Sequence, residues 1–312
     1  MNSLRSRVVL GLLLVGCGRA WGADPPAAVK PFPIYKTAQA IRIDGVLDDP
    51  AWKEARVVEA QYVWGQVGRK SAEPRMDVRY AWDDHYLYIG YETFDKNLVA
   101  LGTGRREGPP ENTREGCLIG HPTEKVDVVE FFVSFGDTRF FWELHHNAAN
   151  QFNDIWCVVV DDSWPIGKSS LNRFGIQFHA HEFLQDDTEG GHTLAMAVRL
   201  KPKADGKPST INDPGDVDTG YTAELRLPWL GLGAPVDRET FLPAESDPSK
   251  TKPRLRGPWK MAGQEMMILA VAQDGDLPEH YHHSSPTKPG GWFHKGAEHW
   301  PRYVLLPDVG NK

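Results

Sequence analysis

Cysteine is nearly missing from this chain: three residues in 312, too few for a disulfide framework or a cysteine-based zinc site. Long apolar runs are missing too. The most apolar stretch, Val8–Val15, has about eight residues against the roughly 20 that a bilayer-spanning helix needs, so no membrane span is expected. No basic block breaks the balance of 35 Lys and Arg against 42 Asp and Glu, a net charge of -7. Nucleic-acid partners, which require clustered cations, are therefore excluded. Helical periodicity is scarce, with a short turn at Pro50–Ala55 as the best candidate. A Gly-x-Ser-x-Gly nucleophile elbow and a Cys-x-x-Cys-His haem attachment are also absent.

What is present begins with an address. Arg5 and Arg7 precede the apolar run, and small residues follow it, which is the layout of a secretory signal peptide over residues 1–23. Two exits are open. Leu14-Val15-Gly16-Cys17 resembles a bacterial lipobox, making Cys17 a lipidated N-terminus, while Ala20-Trp21-Gly22 before Ala23 suits an ordinary signal peptidase. Either way the chain is expected to be exported: periplasmic, a lipid-anchored cell-surface protein, or secreted. Residues 24–40, opening with a proline-rich stretch, read as an extended linker. Once the signal is removed, Cys117 and Cys157 remain as one candidate disulfide.

The rest reads as strands. Eleven Trp, 30 Gly and 24 Pro accompany β-branched and aromatic runs cut by turn residues. The clearest runs are Met76–Trp82, His85–Phe94, Val126–Phe135, Arg139–Asn147 and Phe152–Val160. Phe174–His181, His192–Leu200, Tyr221–Leu227, Met266–Ala272 and Tyr303–Leu306 follow. Asp83-Asp84 and Gly136-Asp137 mark tight turns within hairpins. About ten strands without strand–helix alternation predict an all-β, antiparallel two-sheet sandwich over residues 41–307. The polar segments 102–123, 161–172, 201–219 and 231–263 are read as its long loops.

Four phrases, in this order, resemble one family. Ile43-Asp44-Gly45-Val46-Leu47-Asp48-Asp49-Pro50-Ala51-Trp52 resembles the opening of the family 9 carbohydrate-binding modules and their DOMON-like relatives. Val78–Ile89 resembles their next hairpin. Asp127-Val128-Val129-Glu130-Phe131-Phe132 resembles the strand with an acidic sugar ligand, and Tyr221–Trp229 a late strand ending in a Pro-Trp corner. The resemblance implies an immunoglobulin-like or jelly-roll sandwich, often with structural calcium, that binds an oligo- or polysaccharide beside tryptophans. It also implies association with xylanases and polysaccharide breakdown rather than turnover by this chain alone.

A pyranose offers apolar faces for aromatic rings and a rim of hydroxyls for carboxylates, amides and imidazoles. Glu130 occupies the family's acidic position. Alternation groups Val128, Glu130 and Phe132 against Asp127, Val129 and Phe131, and either face mixes acidic with apolar residues. On the next strand Glu143, His145 and Asn147 share a face; the resemblance places Glu143 and His145 where the family has an arginine and an asparagine. Trp292, after Gly290-Gly291, resembles the family's stacking tryptophan. The other tryptophan of the family pattern is replaced here, near Glu124, and Trp164 is the candidate substitute. Trp52, Trp82 and Trp229 read as core residues.

Rival chemistries remain open. Asp213, Asp216 and Asp218 offer hard oxygens for calcium without the spacing of an EF-hand. His179 and His181, with the histidines from His280 to His299, could chelate a transition metal. DOMON-like relatives bind haem for electron transfer through Met or His, which brings in Met266 and Met267. Glu130 and Glu143 could also serve as the two carboxylates of a glycosidase.

Overall fold

Segments rich in Val, Ile, Phe, Tyr and Trp bury both their faces only if sheets stack and something covers the outside, and the chain does both. The computed structural model describes residues 30–63, 70, 75–100, 126–136, 140–159, 176–180, 194–229, 231–234, 259–275, 281–283 and 300–307. Their elements are β1 (Phe32–Tyr35), α1 (Pro50–Glu54), β2 (Val58–Ala60), β3 (Tyr62–Val63), β4 (Met76–Trp82) and β5 (Tyr86–Thr93). Then come β6 (Val128–Ser134), β7 (Phe140–His146), β8 (Phe152–Val159), β9 (Ile176–Ala180) and β10 (Ala195–Leu200). Last are β11 (Tyr221–Pro228), β12 (Glu265–Gln273), β13 (Tyr281–His283) and β14 (Arg302–Leu306).

Two sheets result. The larger runs β1-β14-β12-β6-β7-β8-β9, with β13 and β3 continuing from β12; the smaller runs β10-β11-β5-β4-β2. Every strand pair is antiparallel except β1 with β14. This is the two-sheet β-sandwich expected from the strand pattern, and each of the ten predicted runs contains a strand. The four strands that sequence reading passed over, β1, β2, β3 and β13, have two to four residues, too short to display alternation.

One boundary needs correction. The linker predicted over residues 24–40 includes β1, whose Phe32–Tyr35 pairs with Tyr303–Leu306. Trp82 Nε1 donates to the carbonyls of both Ile34 and Leu306 at 3.0 Å, so one indole ties the first and last strands to β4. Proline suits such an edge because it has no N–H to leave unpaired.

The core lies between the sheets. Val129, Phe131 and Val133 of β6, with Trp142 and Leu144 of β7, meet Val78, Tyr80, Trp82, Leu87, Ile89, Tyr91, Ala223 and Leu225 from the smaller sheet. Trp229 joins this core and Trp52 is buried outside it, so the structural reading of Trp52, Trp82 and Trp229 holds. At the β4–β5 hairpin, Asp83 Oδ1 accepts the backbone N–H groups of His85 and Tyr86 at 2.7 and 2.8 Å, fixing the predicted turn.

The opening phrase has a structural purpose. Glu224 of β11 points away from the core, under the segment 43–52. Its Oε2 accepts the N–H groups of Asp44 and Gly45 at 2.9 and 2.8 Å, and its Oε1 accepts Trp52 Nε1 at 2.8 Å. Gly45 has φ +81, and a Cβ there would meet the Val198 backbone at 2.8 Å. Gly90, opposite Glu224 in the ladder, leaves room for Leu47 and the Trp52 ring, which a Cβ would meet at 2.9 and 3.0 Å. The motif is thus a lid clamped onto the smaller sheet.

Candidate functional site

The larger sheet carries a second, polar arrangement on its outer face. With Val129, Phe131 and Val133 turned into the core, β-strand alternation turns Val128, Glu130 and Phe132 outward. That settles the face left open by the sequence. Beside them an outer apolar cluster of Phe132, Phe141, Cys157, Met267, Leu269, Val271 and Trp300 forms. Glu130 faces His145 directly across the β6–β7 ladder, and Glu143 faces Phe132. Glu130 and Glu143 are therefore diagonal neighbours with His145 between them.

His145 Nε2 lies 2.9 Å from Glu143 Oε1 and 3.7 Å from Glu130 Oε1. One ligand atom from each of the three residues falls within 4.8 Å of the others. Glu130 and His145 are almost closed off, with side chains 5% and 6% exposed, whereas Glu143 retains 17%. Burial pushes the Glu130 carboxyl up to about 7; the His145 charge opposes the rise and the Glu143 charge adds to it. Oε2 of Glu130 is buried without a hydrogen-bond partner among the described residues. The Cys157 thiol donates to Glu143 Oε2 at 3.7 Å, and burial followed by the Glu143 charge holds that thiol well above its usual range. Phe141 pairs with Cys157 in the β7–β8 ladder, the register that brings the thiol onto this face.

Asn147 does not join the group. It is fully buried, and its Oδ1 accepts the N–H groups of Ala149 and Gln151 at 3.1 Å while Nδ2 donates to Gln151 Oε1 at 2.8 Å. Because β7 ends at His146, Asn147 shapes the turn into β8 instead of extending the strand face. Trp292, Trp164, Cys17 and Cys117 lie outside the described residues, as does His181. Cys157 is a free, buried thiol. Met266 packs in the main core and Met267 in the outer cluster.

The acidic loop spends most of its carboxylate oxygens on bonds within the protein, although Oδ1 of Asp216 is buried and finds no partner among the described residues. Asp213 Oδ1 accepts Gly215 N–H at 3.0 Å, Asp216 pairs with Lys203 and accepts the Thr210 hydroxyl, and Asp218 accepts the N–H groups of Leu98 and Thr210. The acidic residues that do converge are Asp95, Asp127 and Asp274. Asp127 accepts Val99 N–H at 2.5 Å and Gly275 N–H at 2.7 Å. Its carboxyl is raised by burial and by the charge of Asp95. A cavity of about 20 Å³ adjoins all three, room for one ion or water. Sequence reading missed this group because its members come from three distant segments. The visible signal was Asp127 itself, an acid opening an otherwise apolar strand.

Residues 43–107 match the family model described as carbohydrate family 9 binding domain-like. Over those residues the chain is similar to the family 9 carbohydrate-binding modules. That match covers the clamped lid and the β4–β5 hairpin, and ends before Glu130. A solved family 9 module from Caldicellulosiruptor kristjanssonii in complex with cellotriose is similar over 89% of this chain and 96% of that one, at 13% identity and a TM-score of 0.45. The module in complex with glucose is similar over 90% and 98%, at 13% identity and a TM-score of 0.45. Comparison with curated proteins gives no match. Among the described residues, no helix is long and apolar enough to cross a membrane.

Proposed function

We propose that this chain is an exported carbohydrate-binding protein whose sugar contacts lie on the outer face of the larger sheet. One observation carries the reading: Glu130, His145 and Glu143 are gathered there, with Glu143 as the member that reaches solvent. Carboxylates form charge-assisted hydrogen bonds to hydroxyl groups, stronger than neutral ones. The family match over residues 43–107 supports the same class of ligand. Trp292, with Trp164 as a second platform, is proposed to stack on the pyranose face.

Binding without turnover by this chain alone is part of the proposal. One oxygen of Glu130 and one of Glu143 lie within 4.8 Å of each other with His145 between them, an arrangement suited to holding hydroxyl groups. Association with polysaccharide-degrading enzymes remains part of the proposal.

A structural calcium ion is proposed at Asp95, Asp127 and Asp274. The donor set is all oxygen and adjoins a cavity of ion size, as a hard cation requires. Export through the N-terminal signal, with lipidation at Cys17 as one exit, completes the reading.

Affinity electrophoresis against xylan, cello-oligosaccharides and algal glycans tests it. Wild type should be retained by at least one glycan, and Glu143→Ala and Trp292→Ala should each weaken retention about tenfold, the loss of one good contact. Retention unchanged in both variants would place the site elsewhere.

A further inference from the structure

We propose that Glu130, Glu143 and His145 form a binding site for one divalent transition-metal ion of the Zn²⁺ class. The inference is independent of sugar binding and assigns these groups a different ligand.

Donor spacing is the first ground. A first-row ion sits about 2.1 Å from oxygen and nitrogen ligands, so two ligands of one ion stand about 3.0 Å apart at a right angle and about 3.4 Å apart in a tetrahedron. His145 Nε2 lies 2.9 Å from one carboxylate oxygen and 3.7 Å from the other, bracketing those values. A hydrogen-bonded histidine explains only half of this. Nε2 carries at most one proton, which the Glu143 contact uses, and 3.7 Å is too long for a second bond.

Unmet charge and unmet valence are the second ground. Among the described residues, the charged groups acting on buried Glu130 are His145 and Glu143, and one imidazolium cannot neutralise two carboxylates. A divalent ion would. It would also give the buried Oε2 of Glu130, which lacks a hydrogen-bond partner, a reason to be there, since such orphans are costly.

The ligand types select the metal. Imidazole nitrogen favours Zn²⁺ and its neighbours over Ca²⁺ and Mg²⁺, which take oxygen. Cys157 sits behind the site, donating to the far oxygen of Glu143, as outer groups do when they orient a ligating carboxylate. Three protein ligands leave a coordination position for water or a ligand hydroxyl.

The test uses the full chain, stripped with a chelator and titrated with Co²⁺ and Zn²⁺. Wild type should bind one equivalent of Co²⁺ with visible d–d absorption, displaced by Zn²⁺, and should show a higher Tm with Zn²⁺. Glu130→Gln and His145→Gln should each weaken binding at least about 100-fold, and Cys157→Ala about tenfold. Glu265→Gln, an exposed carboxylate at the start of β12 outside both acidic groups, should leave the Co²⁺ spectrum unchanged. Absence of a Co²⁺ spectrum and of a Zn²⁺-dependent Tm rise in wild type would overturn the proposal, even if variants fail to fold. So would an undiminished Co²⁺ spectrum in folded Glu130→Gln and His145→Gln. Glycan retention measured on the stripped protein separates the two readings, because it can persist when metal binding fails and vanish when metal binding stands.

Discussion

Glu224 and Glu130 are both buried glutamates, each on the outer face of its sheet, and they live in opposite electrostatic worlds. Glu224 meets three donors, one of them an indole and two of them backbone amides. Glu130 meets another carboxylate and one histidine, and keeps an oxygen unpaired. A carboxylate surrounded by donors holds structure together, because each bond satisfies both partners. A carboxylate left short of donors costs stability and is kept where a ligand completes it. The two residues thus separate the scaffold from the site within one molecule.

Removing Glu224 should have the largest effect. Glu224→Ala leaves Asp44 N–H, Gly45 N–H and Trp52 Nε1 without their acceptor, and denaturant unfolding should show a loss of about 3–5 kcal/mol. A loss below about 1 kcal/mol would mean that the lid's amides find water, and the contrast would collapse.

The next effect comes from His146, on the same strand as the site but turned into the core. Its Nδ1 meets the Tyr91 hydroxyl at 2.6 Å and its Nε2 the side-chain Oδ1 of Asn150 at 2.9 Å. Burial lowers it from 6.5 to about 4, against a smaller upward pull from Asn150. A depressed folded-state pKa gives stability that is present above pH 6.5 and lost as pH falls through about 4. Wild type should lose about 3 kcal/mol across that window relative to His146→Gln, measured by denaturation at stepped pH.

Glu130 runs the other way. Its folded pKa is raised from 4.5 to about 7, so its stabilising contribution is complete below pH 4.5 and lost as pH rises through 7. In chelator at pH 8, Glu130→Gln should therefore be more stable than wild type by about 1–3 kcal/mol. A destabilised variant would show that Glu130 is held by donors after all, as Glu224 is. Between about pH 4.5 and 6.5 the two titrations oppose each other, and each single variant should expose the slope that the other residue hides.

The smallest change is Trp52→Phe. It keeps the ring under Gly90 but deletes the N–H to Glu224, and should cost about 1–2 kcal/mol in Tm-derived stability. Glycan retention should be unaffected.

Much of this was legible in the sequence, though unevenly. Strands β4 to β12 and β14 announced themselves by alternation and turn residues. The lid phrase was visible as a motif, but its purpose was not, since Glu224 lies 172 positions from Trp52. The pairing of Glu130 with His145 could be suspected from two adjacent strands. Its face could not, because β6 is buried on both sides and alternation between two covered faces carries no direction. Asn147 misled for a physical reason: it continues the strand's alternation one step past the point where the ladder stops. Asp95, Asp127 and Asp274 were invisible as a group because only the folded topology joins them.

The parallel pairing of β1 with β14 has a mechanical consequence. Phe32 begins the first strand and Leu306 ends the last, so the two points where the chain leaves this pair lie at opposite ends of it. A pull on the two chain ends would slide the strands along each other and load all their hydrogen bonds together, instead of unzipping them one at a time. Trp82, bonded to both strands, would act as a pin across that slip plane. A sandwich fastened in this way resists tension between its ends better than its modest four-residue first strand would suggest.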